Sequence, residues 1–193
     1  MERTDLARIV AFTDGVLAVA ITLLALNIDV PDLPSGREDE LGEELVDLLP
    51  SLAAYAMAFA LVGRYWVIHH GLFQRLRAFD GTLMALNLLF LALLVLVPFS
   101  TDLVDSYDAE PVAAAVFAAI LGLAALVNGM MIRHVLRREL VHEHARDVTP
   151  AVSLGLAFIF FVSVPLAFVA TWLAHILWVA AIFVRYPLRR LAR

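Results

Sequence analysis

Long apolar stretches divided by short charged segments make up this chain, and the first stretch sets the pattern. From Arg8 to Asn27 it reads RIVAFTDGVLAVAITLLALN. It opens with a cation and an aromatic, passes a Thr-Asp-Gly, and then turns almost wholly apolar. About 20 residues rising roughly 1.5 Å each would cross a hydrocarbon layer of about 30 Å, so the stretch predicts a spanning helix. At 100° per residue, Phe12, Gly15, Val19, Thr22 and Leu26 fall on one narrow stripe. Asp14, Ala18, Ile21 and Ala25 fall on an adjacent, mostly small face that would let another helix approach closely.

The same alternation continues to the end of the chain. Asp29 to Asp47 holds eight acidic residues and one arginine, with Pro31, Pro34 and Gly36 breaking structure. It predicts a solvated loop with a short helix around Glu38 to Asp47. Pro50 and Pro111 suit the first turns of the second and fourth helices, where a missing N–H costs nothing. Thr149-Pro150 supplies a cap and first-turn pair for the fifth, and Pro165 predicts a kink within it. The pattern predicts an all-α integral membrane protein, a single domain over residues 1–193. Its six transmembrane helices fall at about 8–28, 50–71, 81–100, 111–133, 150–171 and 172–186.

Composition agrees: 62% of the 193 residues are hydrophobic, well above a soluble domain. With no cysteine, disulfides and thiolate metal sites are excluded. Asp5 and Asp14 interrupt any signal-peptide pattern, so the first helix is expected to stay as a span. The net charge of −5 matters less than its distribution. The chain has no lysine, and of its 14 arginines only Arg37 lies on the far side of the predicted spans. The positive-inside rule therefore predicts cytoplasmic termini and a multi-pass protein of the plasma membrane. Merging the last two spans would put Arg189, Arg190 and Arg193 outside, against that rule.

Polar residues inside such helices are candidates for function. Arg8, Phe12, Thr13 and Asp14 open the first helix. Trp66, His70 and Phe73 share a face of the second, with His69 and Arg64 pointing elsewhere. Asp14 and His70 read either as an interhelical tie or as groups that meet a permeating species. Asn87 and Asn128 suit structural hydrogen bonds. His142-Glu143-His144 lacks a metal-binding spacing, so no metal site is predicted. Nucleophile elbows, Walker loops, dinucleotide glycine patterns and paired intramembrane aspartates are all missing, and no enzyme activity is expected.

The run RIVAFTDGVLAVAITLLAL resembles the first helix of prokaryotic members of the transmembrane-protein-175 potassium-channel family, marked by Arg-x-x-x-Phe-Ser-Asp. Thr13 stands where that motif has serine and keeps the hydroxyl. Trp66-x-x-His69-His70-x-x-Phe73, and Asn87 followed by Pro98-Phe99, resemble the family's second and third helices. The resemblance covers the first hundred residues well and the rest by span count. It implies a homotetramer in lipid whose first helices line a central pore, with side chains matching Val19, Thr22 and Leu26 forming the constriction. Without it, that stripe reads as ordinary lipid-facing or core packing.

On this reading the protein is a potassium-preferring cation channel. Rings of Val19 and Leu26 form an apolar gate, and Thr22 offers oxygen to a permeant potassium ion. Asn27, Asp29 and Asp32 form an outer mouth that concentrates monovalent cations. Arg8, Phe12, Thr13, Asp14, Trp66, His70 and Asn87 form an interhelical polar network. No cofactor and no nucleic-acid partner are expected. The alternative is a proton- or ion-coupled secondary transporter using Asp14 and His70, and it predicts an inverted repeat and broken helices.

Overall fold

A computed structural model describes residues 3–36, 38–142 and 148–183. Among these, all regular structure is helical apart from one isolated bridge, Leu76 to Val141. α1 runs Arg3–Leu23 and ends in a 3₁₀ turn, Leu24–Asn27. The acidic segment carries a 3₁₀ turn, Glu38–Glu40, and α2, Leu41–Asp47, where the sequence predicts a short helix. Then follow α3 (Leu49–Phe73), α4 (Gly81–Val95), α5 (Val97–Ser106), α6 (Pro111–Arg137), α7 (Ala151–Ala167) and α8 (Thr171–Phe183).

Leu6–Asn27, Leu49–Phe73, Gly81–Ser106 and Pro111–Arg137 are long and apolar enough to cross a membrane; Ala151–Ala167 and Thr171–Phe183 are apolar but shorter. The third span differs from expectation. It does not stop near residue 100 but breaks at Leu96 and continues as α5, so that Asp102 and Asp105 are helical. Pro98 causes the break, because it lacks an N–H and its ring collides with the carbonyl of residue 94. Neighbouring polar groups satisfy the backbone around the break. Leu96 N–H donates to Leu93 and Leu94, and the Ser100 and Thr101 hydroxyls donate to the Val97 carbonyl at 3.0 and 2.9 Å.

α6 is the hub of the bundle. About 61% of its most apolar stretch is buried, roughly double the share for α1 or α3. Alanines 113, 114, 118, 124 and 125 and glycines 122 and 129 keep its surface low, so partners approach closely. A β-carbon on Gly122 would sit 3.1 Å from the Phe161 ring of α7, and one on Gly129 2.9 Å from Leu154. α3 joins this core through Tyr65, whose hydroxyl donates to the Leu121 carbonyl at 2.7 Å. At the C-terminal turn of α8, the Arg64 guanidinium donates to the Ile182 carbonyl at 3.1 Å, a favourable place for a cation.

One end of the bundle is laced by loops. Arg77 N–H donates to the Leu140 carbonyl at 2.8 Å, His142 N–H to Arg75 at 3.1 Å, and the Arg77 side chain to Glu139 at 2.8 Å. Asp80 caps α4 by accepting from Leu83 N–H at 2.8 Å, and its other oxygen lies 2.8 Å from His134 of α6. Burial pushes the Asp80 carboxyl up. The Leu83 N–H, His134 and the nearby Arg138 together outweigh that and hold it below its ordinary value. Glu143 and His144, and the C-terminal arginines 185, 189, 190 and 193, lie outside the described residues.

Two outcomes follow from this packing. Gly122→Val should lower the thermal unfolding midpoint, since overpacking a tight helix crossing costs about 1–3 kcal/mol. Gly155→Ala, which meets open space, should leave the midpoint unchanged or raise it. Because Asp80 is depressed when folded, its charge stabilises above its ordinary value of 3.8, and that contribution fades as pH falls through the lower folded value. Asp80→Asn keeps a capping oxygen but no charge. The midpoint advantage of wild type over this variant should hold at neutral pH and shrink below about pH 4.

Candidate functional site

Thr13 and Asp14 are consecutive, so they point about 100° apart and address different helices. Thr13 is buried and faces α4, where its hydroxyl accepts from Asn87 Nδ2 at 2.9 Å. Asn87 Oδ1 lies 2.8 Å from His69 Nε2 of α3. Since that oxygen can only accept, the His69 Nε2–H donates, and the proton is assigned to that nitrogen. The His69 ring is stacked between Phe73 and Phe90, with centroids 4.0 and 4.9 Å away. The three polar side chains thus form one chain through α1, α4 and α3, closed off by aromatic rings.

Asp14 turns the other way, toward the exposed side of α3. Its Oδ1 accepts from Trp66 Nε1 at 2.9 Å and lies 3.8 Å from His70 Nδ1. The His70 ring stacks on Trp66 at 4.9 Å, and its Nε2 lies 2.8 Å from the Gln74 amide nitrogen. That amide donates to Nε2, which leaves the remaining His70 proton on Nδ1, facing Asp14.

The structure therefore brings together Asp14, Trp66 and His70 in one group and Thr13 and Asn87 in another. Arg8 and Phe12 join neither. Arg8 is exposed and makes no hydrogen bond or ion pair with the described residues, and Phe12 faces outward. His69, read from the sequence as pointing elsewhere, is the buried partner that completes the Thr13–Asn87 chain. Phe73 packs on His69 rather than beside Trp66 and His70. One signal was available in the sequence. His69 lies four residues after Tyr65 and three before Leu72, on the wholly apolar stripe of α3. A histidine there needs a buried partner.

The far end of α1 has its own anchor. The Asn27 amide donates to the Pro98 carbonyl at 2.7 Å, at the break between α4 and α5. Asp29 and Asp32 follow it and are exposed. Between the two anchors the helix has two sharply different sides. Leu17 and Leu24 are 1% and 0% exposed, whereas Val19 and Leu26 are 58% and 74% exposed. Thr22 lies on the exposed side, and its hydroxyl donates to the Val19 carbonyl at 2.8 Å. With its proton committed to the helix, that oxygen presents only lone pairs outward. Leu23 belongs to the same stripe, four residues after Val19 and within about 20° of Phe12 on the helix. Its side chain is exposed like those of Val19 and Leu26.

The packing face within the subunit differs from the small-residue face read from the sequence. Thr13, Leu17, Ala20 and Leu24 pack inward, while Ala18 and Ala25 are exposed. Large side chains at 17 and 24 bury more apolar area than alanines would, which favours turning that side in. A shallow apolar groove of about 380 Å³ runs beside the stripe, lined by Phe12, Gly15, Val16, Val19 and Leu23 with Val95 of α4.

Residues 8–98 match the family model described as endosomal/lysosomal potassium channel TMEM175. A potassium channel of Chamaesiphon minutus is 34% identical over 181 residues, covering 90% of this chain and 89% of that protein. A potassium channel of Streptomyces collinus is 37% identical, covering 78% and 74%. The mouse endosomal/lysosomal proton channel TMEM175 is 36% identical over 111 residues, 54% of this chain and 22% of that protein. Among solved structures, the fold is similar to the crystal structure of a lysosomal potassium-selective channel TMEM175 homolog from Chamaesiphon minutus. The TM-score is 0.80 at 32% identity, over 94% of this chain and 96% of that one.

The buried chain generates one expectation. Asn87→Ala strands the His69 donor in an apolar pocket, which costs about 1–3 kcal/mol. The purified protein should unfold at a lower temperature, and more so than with Trp66→Phe, which strands only a half-exposed carboxylate. Equal midpoints for the two variants would mean that the Thr13–Asn87–His69 chain contributes little.

Proposed function

The chain belongs to the TMEM175 family of endosomal/lysosomal potassium channels, and on that premise we propose that it conducts potassium through a homotetrameric pore lined by α1. The observation that carries this reading is the two-sidedness of α1. Polar ties hold both ends to α3, α4 and α5, yet the apolar stripe between them is left uncovered. A single subunit gives those side chains no partner. Four copies of the stripe meeting on an axis would cover them against one another.

In this arrangement Val19 and Leu26 form apolar rings narrow enough to exclude water, and conduction stops when they dewet. Val19 and Leu26 are seven residues apart, about 11 Å along the helix. Thr22 lies between them and turns acceptor lone pairs toward the axis, which suits a partly dehydrated cation. Asp29 and Asp32 beyond Asn27 supply negative potential at the mouth, raising local cation concentration and repelling anions. Asp14, Trp66 and His70, with Thr13, Asn87 and His69, act by holding α1 in place. Ala18 and Ala25 flank the stripe and give the helix of a neighbouring subunit room to approach. The six-helix topology with cytoplasmic termini, and residence in the plasma membrane, belong to the same proposal and rest on the arginine distribution.

Replacing Val19 or Leu26 with serine tests the pore assignment. Single-channel recording from liposomes under potassium or sodium gradients should show larger conductance and weaker discrimination between the two ions. Leu17→Ser, on the buried side, should lower the yield of folded protein without enlarging the unitary current. The mouse relative is described as a proton channel, so proton flux belongs in the same recordings. Currents of Leu26→Ser and Val19→Ser that match wild type would remove α1 from the permeation path.

A further inference from the structure

Away from α1, a groove of about 300 Å³ opens between α3, α5 and α8. It lies at the end of the bundle where α5 stops and α8 starts. Pro50, Asp105, Asp108 and His175 lie within a turn or so of those helix ends and form its mouth. Met57 lines it about two turns beyond Pro50, and Val179 about one turn beyond His175. Val104, buried on α5, and Ala53 and Ala54 complete apolar walls. The His175 ring is held edge-on against Trp178 at 4.7 Å, and the Trp178 N–H is already committed to Ser163 at 3.0 Å. That wall is therefore set by packing within the subunit.

The mouth is acidic and the walls are apolar. Asp47, Asp102 and Glu110 lie at the same end, and no arginine occurs in the described parts of residues 29–60, 97–111 or 167–183. Taken together, a negative rim over an apolar slot calls for a ligand with a positive head and an apolar tail. We propose that this groove binds a single-chain cationic amphiphile, its ammonium head between Asp105 and Asp108 and its tail along Met57, Val104 and Val179. Two acidic side chains repel a fatty-acid carboxylate. A volume at the low end of the roughly 300–1,000 Å³ of small-molecule pockets suits one alkyl chain rather than the two of a phospholipid. A second copy of this chain is a poor occupant, because its described arginines are clustered at the opposite end, near Arg77, Arg133 and Arg138. None of its lining residues belongs to α1, so the site does not depend on the proposed pore.

Photolabelling of the purified full-length protein in phosphatidylcholine nanodiscs tests the site. The probe is a ten-carbon alkyltrimethylammonium carrying a diazirine midway along the chain. The label should map to α3, α5 and α8 around Met57, Val104 and Val179. Decyltrimethylammonium should displace it, and decanol and decanoate should not at the same concentration. Asp105→Asn with Asp108→Asn should reduce labelling about five-fold or more, as expected for losing two partly exposed charge pairs. Ala54→Trp, which fills the slot, should abolish it. Displacement by decanol as effective as by the ammonium would refute charge recognition. Displacement by added phosphatidylethanolamine would make a lipid the occupant, and label bridging two subunits would make the groove an interface between copies. Any of these overturns the proposal. If the variants fail to fold, the competition series on wild type decides by itself.

Discussion

A polar side chain inside an apolar bundle must find its partner within the protein, because neither lipid nor core offers one. In this chain that demand falls hardest on Thr13, Asn87 and His69, three side chains at most 1% exposed and joined by hydrogen bonds of 2.9 and 2.8 Å. The bonds are directional, so they set the rotation of α1 about its axis as well as its distance from α3 and α4. Apolar packing alone would tolerate small rotations. Once Thr13 faces Asn87, Leu17, Ala20 and Leu24 must follow it inward at helical spacing, and Val19, Thr22 and Leu26 must face out.

The same demand explains the other anchor of α1. Pro98 interrupts the ladder between α4 and α5, and the irregular backbone there is satisfied by Ser100, Thr101 and the Asn27 amide. A proline on one helix thus becomes the attachment point for the end of another. Between two fixed ends α1 behaves as a strut, held by polar ties rather than covered by neighbours. Such a helix presents an apolar face without losing its place in the subunit.

The part of the bundle around α6 is built on a different basis. α6 and α7 meet through glycine and alanine, with Gly122 and Gly129 accepting Phe161 and Leu154 at contact distance. There the gain is dispersion over many close contacts rather than a few directional bonds. The division suits the two halves: α6 to α8 supply a rigid backing, and the polar ties of α1, α3 and α4 give that backing a defined orientation toward the proposed axis.

Helical periodicity and the placement of arginine were enough to read an all-α membrane protein from the sequence, since 62% apolar composition broken by charged loops admits few other solutions. The motif around Thr13 and Asp14 was legible too, because polar residues in an apolar helix stand out. Three things came only from the tertiary structure. The partner of the buried histidine depended on how α3 rotates against α4: the apolar stripe marks His69 as buried, but not that Asn87 and Thr13 meet it. The continuation of the third span past Pro98 rested on the Ser100 and Thr101 hydroxyls and on the Asn27 amide from the end of α1. And the inward face of α1 went to Leu17 and Leu24 rather than to the small residues at 18 and 25. Periodicity specifies that a helix has faces, but the burial each face gains depends on the shape of the helices waiting to receive it.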